Sequence, residues 1–233
     1  MPKLQKFPLS QAFGVSVPRV DRVPEHQFTH HYRQIDDYHF CQDSVILPWL
    51  VAQLENSSPI KTSLKVLDLC AGCGVIGFEL LHYLPEIDQI DFIEIQKIFK
   101  PAFMMNAALV VDSHKKIQWR EMNYSELSLE AERARYDLII SNPPYFFSDD
   151  GRISGNEVKN RCRFFIDSDL ASFVRGICLS MAPTGRGYFL CKLGGTHGRK
   201  SWDEIRLITA MHDHTATIVA DIRGTAVVKV CQA

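Results

Sequence analysis

The chain has 233 residues, 46% of them hydrophobic and 23% charged, with a formal net charge of −1. That length suits one well-buried domain and excludes two large ones, and the composition excludes long disorder. The near-zero charge excludes a global electrostatic pull toward nucleic acid, so such a partner needs a local basic patch.

Residues 1–40 show no clear hydrophobic period and read as an N-terminal extension ahead of a single domain at 41–233. Lys3 and Lys6 are not followed by an apolar run of seven or more residues, so no secretory leader is expected and the expected location is the cytoplasm. A helix is predicted over 44–56, with Pro48 tolerable only near its first turn; this apolar stretch is interrupted well before membrane-spanning length. From residue 64 onward β-rich runs alternate with helical patterns, the signature of an α/β fold with a mainly parallel sheet and helices on both faces. Strands are predicted at 64–69, 89–95, 116–121, 136–141, 187–192, 215–221 and 225–230, seven in all, and helices at 75–83, 97–110, 167–181 and 202–212. Ser201 followed by Glu204 reads as a capping box that places the start of the last helix. Only Arg223 and Gly224 separate the last two strands, too few for a crossover, so these pair as an antiparallel C-terminal hairpin. Between residues 152 and 163, Arg152, Lys159, Arg161 and Arg163 stand against Glu157 alone, in a stretch that reads as a basic loop. The seven cysteines, Cys41, Cys70, Cys73, Cys162, Cys178, Cys191 and Cys231, are odd in number and several sit in apolar runs, which fits reduced thiols.

Three segments carry chemistry. The first runs Val66-Leu67-Asp68-Leu69-Cys70-Ala71-Gly72-Cys73-Gly74-Val75-Ile76-Gly77: a strand ending in Asp that passes through glycines into a helix. Glycines 72, 74 and 77 let the backbone turn sharply and approach a ligand. The second is Asp91-Phe92-Ile93-Glu94, about twenty residues on, where a carboxylate can accept both ribose hydroxyls of a nucleoside. Together they specify a nucleoside-containing cofactor over the carboxyl ends of the strands. The third, Ser141-Asn142-Pro143-Pro144-Tyr145-Phe146, follows the fourth strand. Two prolines stiffen the loop and fix nearby carbonyls as acceptors, and Asn142 adds an amide oxygen. Such acceptors suit an NH₂ group on a planar system, and Tyr145 offers a face for a base to stack on, worth about 1–3 kcal/mol.

With these motifs the chain resembles the class I, Rossmann-like, S-adenosylmethionine-dependent methyltransferases that carry Asn-Pro-Pro-Tyr. The resemblance covers roughly residues 30 to 231. It is most similar to the bacterial tRNA1(Val) adenine-37 N6-methyltransferase family, through Gln42-Asp43-Ser44-Val45-Ile46-Leu47, Asp68 to Gly74, Glu94, and Asn142 to Phe146. The resemblance implies S-adenosylmethionine held by Asp43, Ser44, Asp68, Cys70, Ala71, Gly72, Gly74, Glu94, Ile95, Asn123 and Asn142. It implies catalysis by Asn142, Pro143, Pro144 and Tyr145, and RNA, a tRNA in particular, held by Tyr145, Phe146, Arg161 and Arg163. In the Asn-Pro-Pro-Tyr protein-glutamine methyltransferases a larger helical domain precedes the catalytic one, and about sixty residues stand there in this chain. Cys70 and Cys73 replace the small or hydroxyl residues usual in the family's glycine loop, and Asn123 stands where an Asp near the cofactor adenine is common.

The expected reaction is direct in-line transfer, in which an acceptor nitrogen attacks the sulfonium methyl and the protein supplies position and alignment. No metal is expected, since Cys70 and Cys73 offer two zinc ligands where four are usual. His30-His31 and His212-Asp213-His214 lack companion ligands at a metal-binding spacing. Lys192, His197, Arg199 and Lys200 form a loop that either touches phosphates or is merely solvated, and Phe164, Phe165 and Phe173 read as core. Two alternatives stay open: an acceptor that is a protein glutamine or other amide, and a noncatalytic binding module.

Overall fold

The computed structural model describes residues 13, 15–23, 31–56, 63–110, 114–147, 153–193 and 198–233, the side chain of Arg199 excepted. Among them are eight strands: β1 (Arg19–Val20), β2 (Leu64–Leu69), β3 (Ile87–Ile93), β4 (Lys116–Arg120), β5 (Tyr136–Ser141), β6 (Met181–Cys191), β7 (His214–Ile222) and β8 (Thr225–Gln232). They form one sheet in the order β1-β7-β8-β6-β5-β2-β3-β4. Every neighbouring pair is parallel except those made by β8, which runs antiparallel to both β6 and β7. The seven expected strands and the C-terminal hairpin are all present. Strand β6 begins at Met181 rather than 187, and the two-residue β1 lies beside β7, with Arg19 opposite Asp221.

The helices are α1 (Asp43–Glu55), α2 (Val75–Tyr83), α3 (Lys100–Val110), α4 (Glu157–Arg163), α5 (Leu170–Ser180) and α6 (Gly198–Met211). Successive strand residues face opposite sides, so Val66, Leu138 and Ile140 join one core with residues of α1, α2 and α3. Leu67, Leu69 and Ile139 join the other with residues of α5 and α6. Phe173, buried as expected, belongs to that second core.

Apart from small shifts of their ends, the helices depart from expectation at three points. Pro48 lies inside α1 beyond its first turn, where it has no amide proton to give the carbonyl of Ser44 four residues back. Helix α6 starts at Gly198, so Ser201 lies within it and the capping-box reading fails. The basic loop is in part a helix, α4: the Asn156 side chain accepts from the Lys159 amide at 2.8 Å, and Glu157 in the first turn and Arg161 and Arg163 in the last complement the helix dipole. Arg152, His30 and the loop residues at 194–197 lie outside the described residues.

The sheet brings the three motifs together. Leu69 at the end of β2 pairs with Ile93 at the end of β3 and with Ser141 at the end of β5. The glycine turn, Glu94 and the Asn142 loop therefore leave three adjacent strands at one level. Strand β2, flanked by β3 and β5, is where the strand order reverses, the position at which open α/β sheets bind ligands.

Candidate active site

The glycine turn is held from below and behind. Asp68 is fully buried, and its Oδ2 accepts the Gly77 amide at 2.8 Å. Its Oδ1 has no hydrogen-bond partner among the described residues. Burial pushes the Asp68 carboxyl up to about 8; the Gly77 amide opposes this and the charge of Glu94 adds to it. A Cβ on Gly77 would come within 2.4 Å of the Phe92 ring, and one on Gly74 within 2.5 Å of Phe78. Aromatic packing demands glycine at position 77, and at position 74 the same packing joins a left-handed φ of +81°. Gly72, at φ +53°, does face the cavity, and Cys70 adopts a positive φ of 61° although it carries a side chain.

Glu94 follows β3 and is buried. Its Oε2 accepts the Gly72 amide at 2.9 Å and its Oε1 the Gln96 amide at 2.8 Å. Each ionised oxygen keeps a further lone pair for a hydroxyl donor. Burial raises its pKa against these two amides. In front of it opens a cavity of about 920 Å³, mouth included, lined by Ser44, Cys70, Ala71, Gly72, Glu94, Ile95 and Asn142 among the residues expected.

The other expected cofactor residues do not line it. Asp43 opens α1 facing the hairpin turn, with Oδ1 3.9 Å from Arg223 Nη1. Asp68 lies beneath the turn and Gly74 serves as the left-handed N-cap of α2. Asn123 caps a short turn, accepting from the Ser125 amide at 2.9 Å and donating to the Asp167 carbonyl at 3.0 Å.

The Asn142 loop is braced by backbone pairing. The amides of Tyr145 and Phe146 both donate to the Arg163 carbonyl, at 3.0 and 2.9 Å, and the Phe165 amide donates to the Phe146 carbonyl at 2.9 Å. Asn142 Nδ2 donates to Ser44 Oγ at 3.3 Å, and the Tyr145 hydroxyl donates to Asn142 Oδ1. Burial raises the Tyr145 phenol well above its ordinary value, so it stays a donor. A second cavity, about 720 Å³ with its mouth, is lined by Asn142, Pro143, Tyr145, Phe146, Lys159 and Arg163. Asn142, Tyr38 and Cys162 line both cavities. The Arg163 guanidinium stands 5.6 Å from the Phe146 ring centre and 5.9 Å from that of Phe164. Arg161 instead lines the first cavity and is paired to Asp167, with Nε 3.0 Å from each carboxylate oxygen and Nη2 against Oδ1.

Pattern reading missed Tyr38 and Phe40, which line the first cavity from a segment without period. That segment is stapled to the glycine turn by Asn106, whose Nδ2 donates to the carbonyls of Cys73 (2.9 Å) and Arg33 (3.0 Å) while its Oδ1 accepts the Arg33 amide at 2.7 Å. Gln96, Met122, Tyr124, Cys162, Ile166 and Asp167 were likewise missed. Phe164, expected in the core, is buried and also lines the cavity. All seven cysteines are unpaired. Among the described residues no three metal-ligating side chains converge, and no helix is long and apolar enough to cross a membrane.

Residues 48–158, which run from α1 through the glycine turn, Glu94 and the Asn142 loop, match the family model described as the methyltransferase small domain. That match covers just under half of the chain. The tRNA1(Val) (adenine(37)-N6)-methyltransferase of Proteus mirabilis is 34% identical over 95 residues, covering 38% of this chain and 34% of that relative. The ribosomal protein uL3 glutamine methyltransferase of Bradyrhizobium diazoefficiens is 30% identical over 145 residues, covering 60% of this chain and 43% of that relative. The matches thus span a third to under half the length of these methyltransferases. Among solved structures, the ribosomal protein L11 methylase of Lactobacillus delbrueckii subsp. bulgaricus superposes with a TM-score of 0.56 at 12% identity, covering 83% of this chain and 80% of that one. TrmN of Thermus thermophilus gives 0.55 at 16% identity, covering 81% of this chain and 49% of that one. Such likenesses show the Rossmann-like methyltransferase fold, and the resemblance read from the motifs holds at the level of domain and fold.

Proposed function

We propose that this methyltransferase domain transfers a methyl group from S-adenosylmethionine to the N6 amino group of an adenine in tRNA. The observation that carries the reading is the position of Asn142, which lines the cofactor cavity and the basic-rimmed second cavity at once. The cavity fits the cofactor: Glu94 has lone pairs for ribose hydroxyls, Gly72 and Ala71 present backbone along the same wall, and Ser44 and Asn142 stand at the acceptor end.

S-adenosylmethionine supplies the electrophilic methyl. The chain's residues supply the rest. Asn142 Oδ1 accepts one hydrogen of the acceptor amino group, and the carbonyls stiffened by Pro143 and Pro144 restrict the other, which turns the nitrogen lone pair out of the ring plane. Tyr145 and Phe146 form the wall for the base, and the Tyr145 hydroxyl must yield Asn142 Oδ1 as the amino group arrives. A nitrogen–carbon bond forms as the carbon–sulfur bond breaks, and the nitrogen's proton leaves to water, so alignment, not a strong base, does the work. Lys159 and Arg163, at the second cavity, suit phosphates of a polyanion. Arg161, occupied by Asp167, is less suited to that role.

The relative that methylates a glutamine of uL3 supports a second reading, an amide acceptor, because the same oxygen array holds any planar NH₂. Tritium transfer from labelled S-adenosylmethionine to an extract of cells lacking the protein, RNA and protein together, decides between them. Label in N6-methyladenosine, reduced at least about a hundredfold by Asn142→Ala, supports the RNA reading. Label that resists nuclease and is lost with protease-treated substrate moves the acceptor to protein, and no transfer to either leaves the noncatalytic module.

A further inference from the structure

Past Glu94 the first cavity is walled by Ile95, Met122, Phe164 and Ile166, apolar side chains that suit the faces of a flat base. Such a slot still needs a polar group at the base edge, because an exocyclic NH₂ buried without an acceptor costs about 1–3 kcal/mol. Asn123 follows β4 but does not line the cavity: its oxygen accepts the Ser125 amide and its nitrogen donates to the Asp167 carbonyl. That last bond acts as a bracket, holding residue 167 at the cavity wall. Asp167 itself lines the cavity, and it and Glu94 are the acidic residues that do so among the described residues. They are near enough that the charge of Asp167 raises the pKa of Glu94. Arg161 grips the Asp167 carboxylate with Nε and Nη2. A carboxylate has about four lone-pair positions, so acceptor capacity remains beyond that fork.

We propose that Asp167 accepts the exocyclic amino group of the cofactor's adenine, with Asn123 holding residue 167 in place. Arg161 is then a positioning residue for the cofactor pocket. The assignment rests on the reading that this cavity takes S-adenosylmethionine. It makes the segment after α4, not the turn after β4, the determinant of base identity.

Calorimetric titration with S-adenosylhomocysteine and its 6-oxo counterpart S-inosylhomocysteine tests this without turnover. The 6-oxo ligand puts an oxygen acceptor against the carboxylate, so the wild-type protein should bind it on the order of a hundredfold more weakly. D167N, whose amide can donate to that oxygen, should bring the two affinities within about threefold. E94Q should weaken both ligands alike and keep the wild-type ratio. Equal wild-type affinities overturn the assignment without any variant, and so does a D167N protein that keeps the hundredfold ratio. Binding of neither ligand by the wild-type protein overturns the cofactor reading and the assignment with it, an outcome distinct from both.

Discussion

The buried carboxyl of Asp68 makes the free protein's stability depend on pH in an unusual direction. With a folded value of about 8 against an ordinary 3.8, it keeps a proton that the unfolded chain has lost between those values. Folding therefore binds a proton, and this contribution to stability is present in acid and declines as pH rises toward 8, by at most about 1.4 kcal/mol per pH unit. Asp68→Asn keeps an oxygen for the Gly77 amide and cannot ionise. Its melting temperature should exceed that of the wild type by a margin that grows from pH 5 to pH 8; a constant margin would show Asp68 ionised throughout. At this scale the motif letters were legible and their reasons only partly so. Strand-end Asp and glycine spacing announce a turn, yet Phe92 and Phe103, which crowd Gly77 and Gly74, come from β3 and α3, later in the chain.

Helix α1 shows how a remote anchor sets a site residue. Ser44, near its start, meets Asn142, while Glu55 at its end accepts Arg186 Nε at 2.8 Å on both carboxylate oxygens and the Tyr188 hydroxyl at 2.8 Å. Replacing Glu55 with Ala strands a partly buried guanidinium and a buried phenol on β6. It should cost about 2–3 kcal/mol in denaturant unfolding and raise the KM for cofactor by tilting Ser44 away. Unchanged stability would mean that water replaces the carboxylate. The long helices and the parallel strands were readable because each repeats its apolar period two or more times. Helix α4 was not, since seven residues hold too few apolar positions to show a period. The Ser201–Glu204 pair misled because a capping signature marks a start only where no earlier turn of helix packs, and here Gly198 begins one.

Across the whole molecule, the segment from residue 31 to 40 ties the cofactor cavity to the outer helices, with Asn106 as the tie. Asn106→Ala leaves one buried backbone group, the Cys73 carbonyl, and two part-buried ones of Arg33 without this partner, a cost of about 1–3 kcal/mol. It should weaken S-adenosylhomocysteine binding about tenfold and open residues 31–40 to limited proteolysis. Bound ligand should protect that segment in the wild-type protein, and identical cleavage with and without ligand would detach it from the site. No sequence pattern announced this, because Tyr38 and Phe40 meet their partners through loops, which have no repeat to detect.

Strand β8 lies between β6 and β7, with a consequence for the order of assembly during synthesis. Strand β7 reaches the rest of the sheet only through β8, and β1 reaches it only through β7. Residues 19 and 20 leave the ribosome well before residues 225–232, yet cannot take their place until those have followed. The nascent chain can build β2 to β6 and the glycine turn early, but the N-terminal strand is docked last, by the C-terminal hairpin. Contacts of such sequence separation close slowly, so a ribosome stalled before residue 225 should display the N-terminal segment undocked.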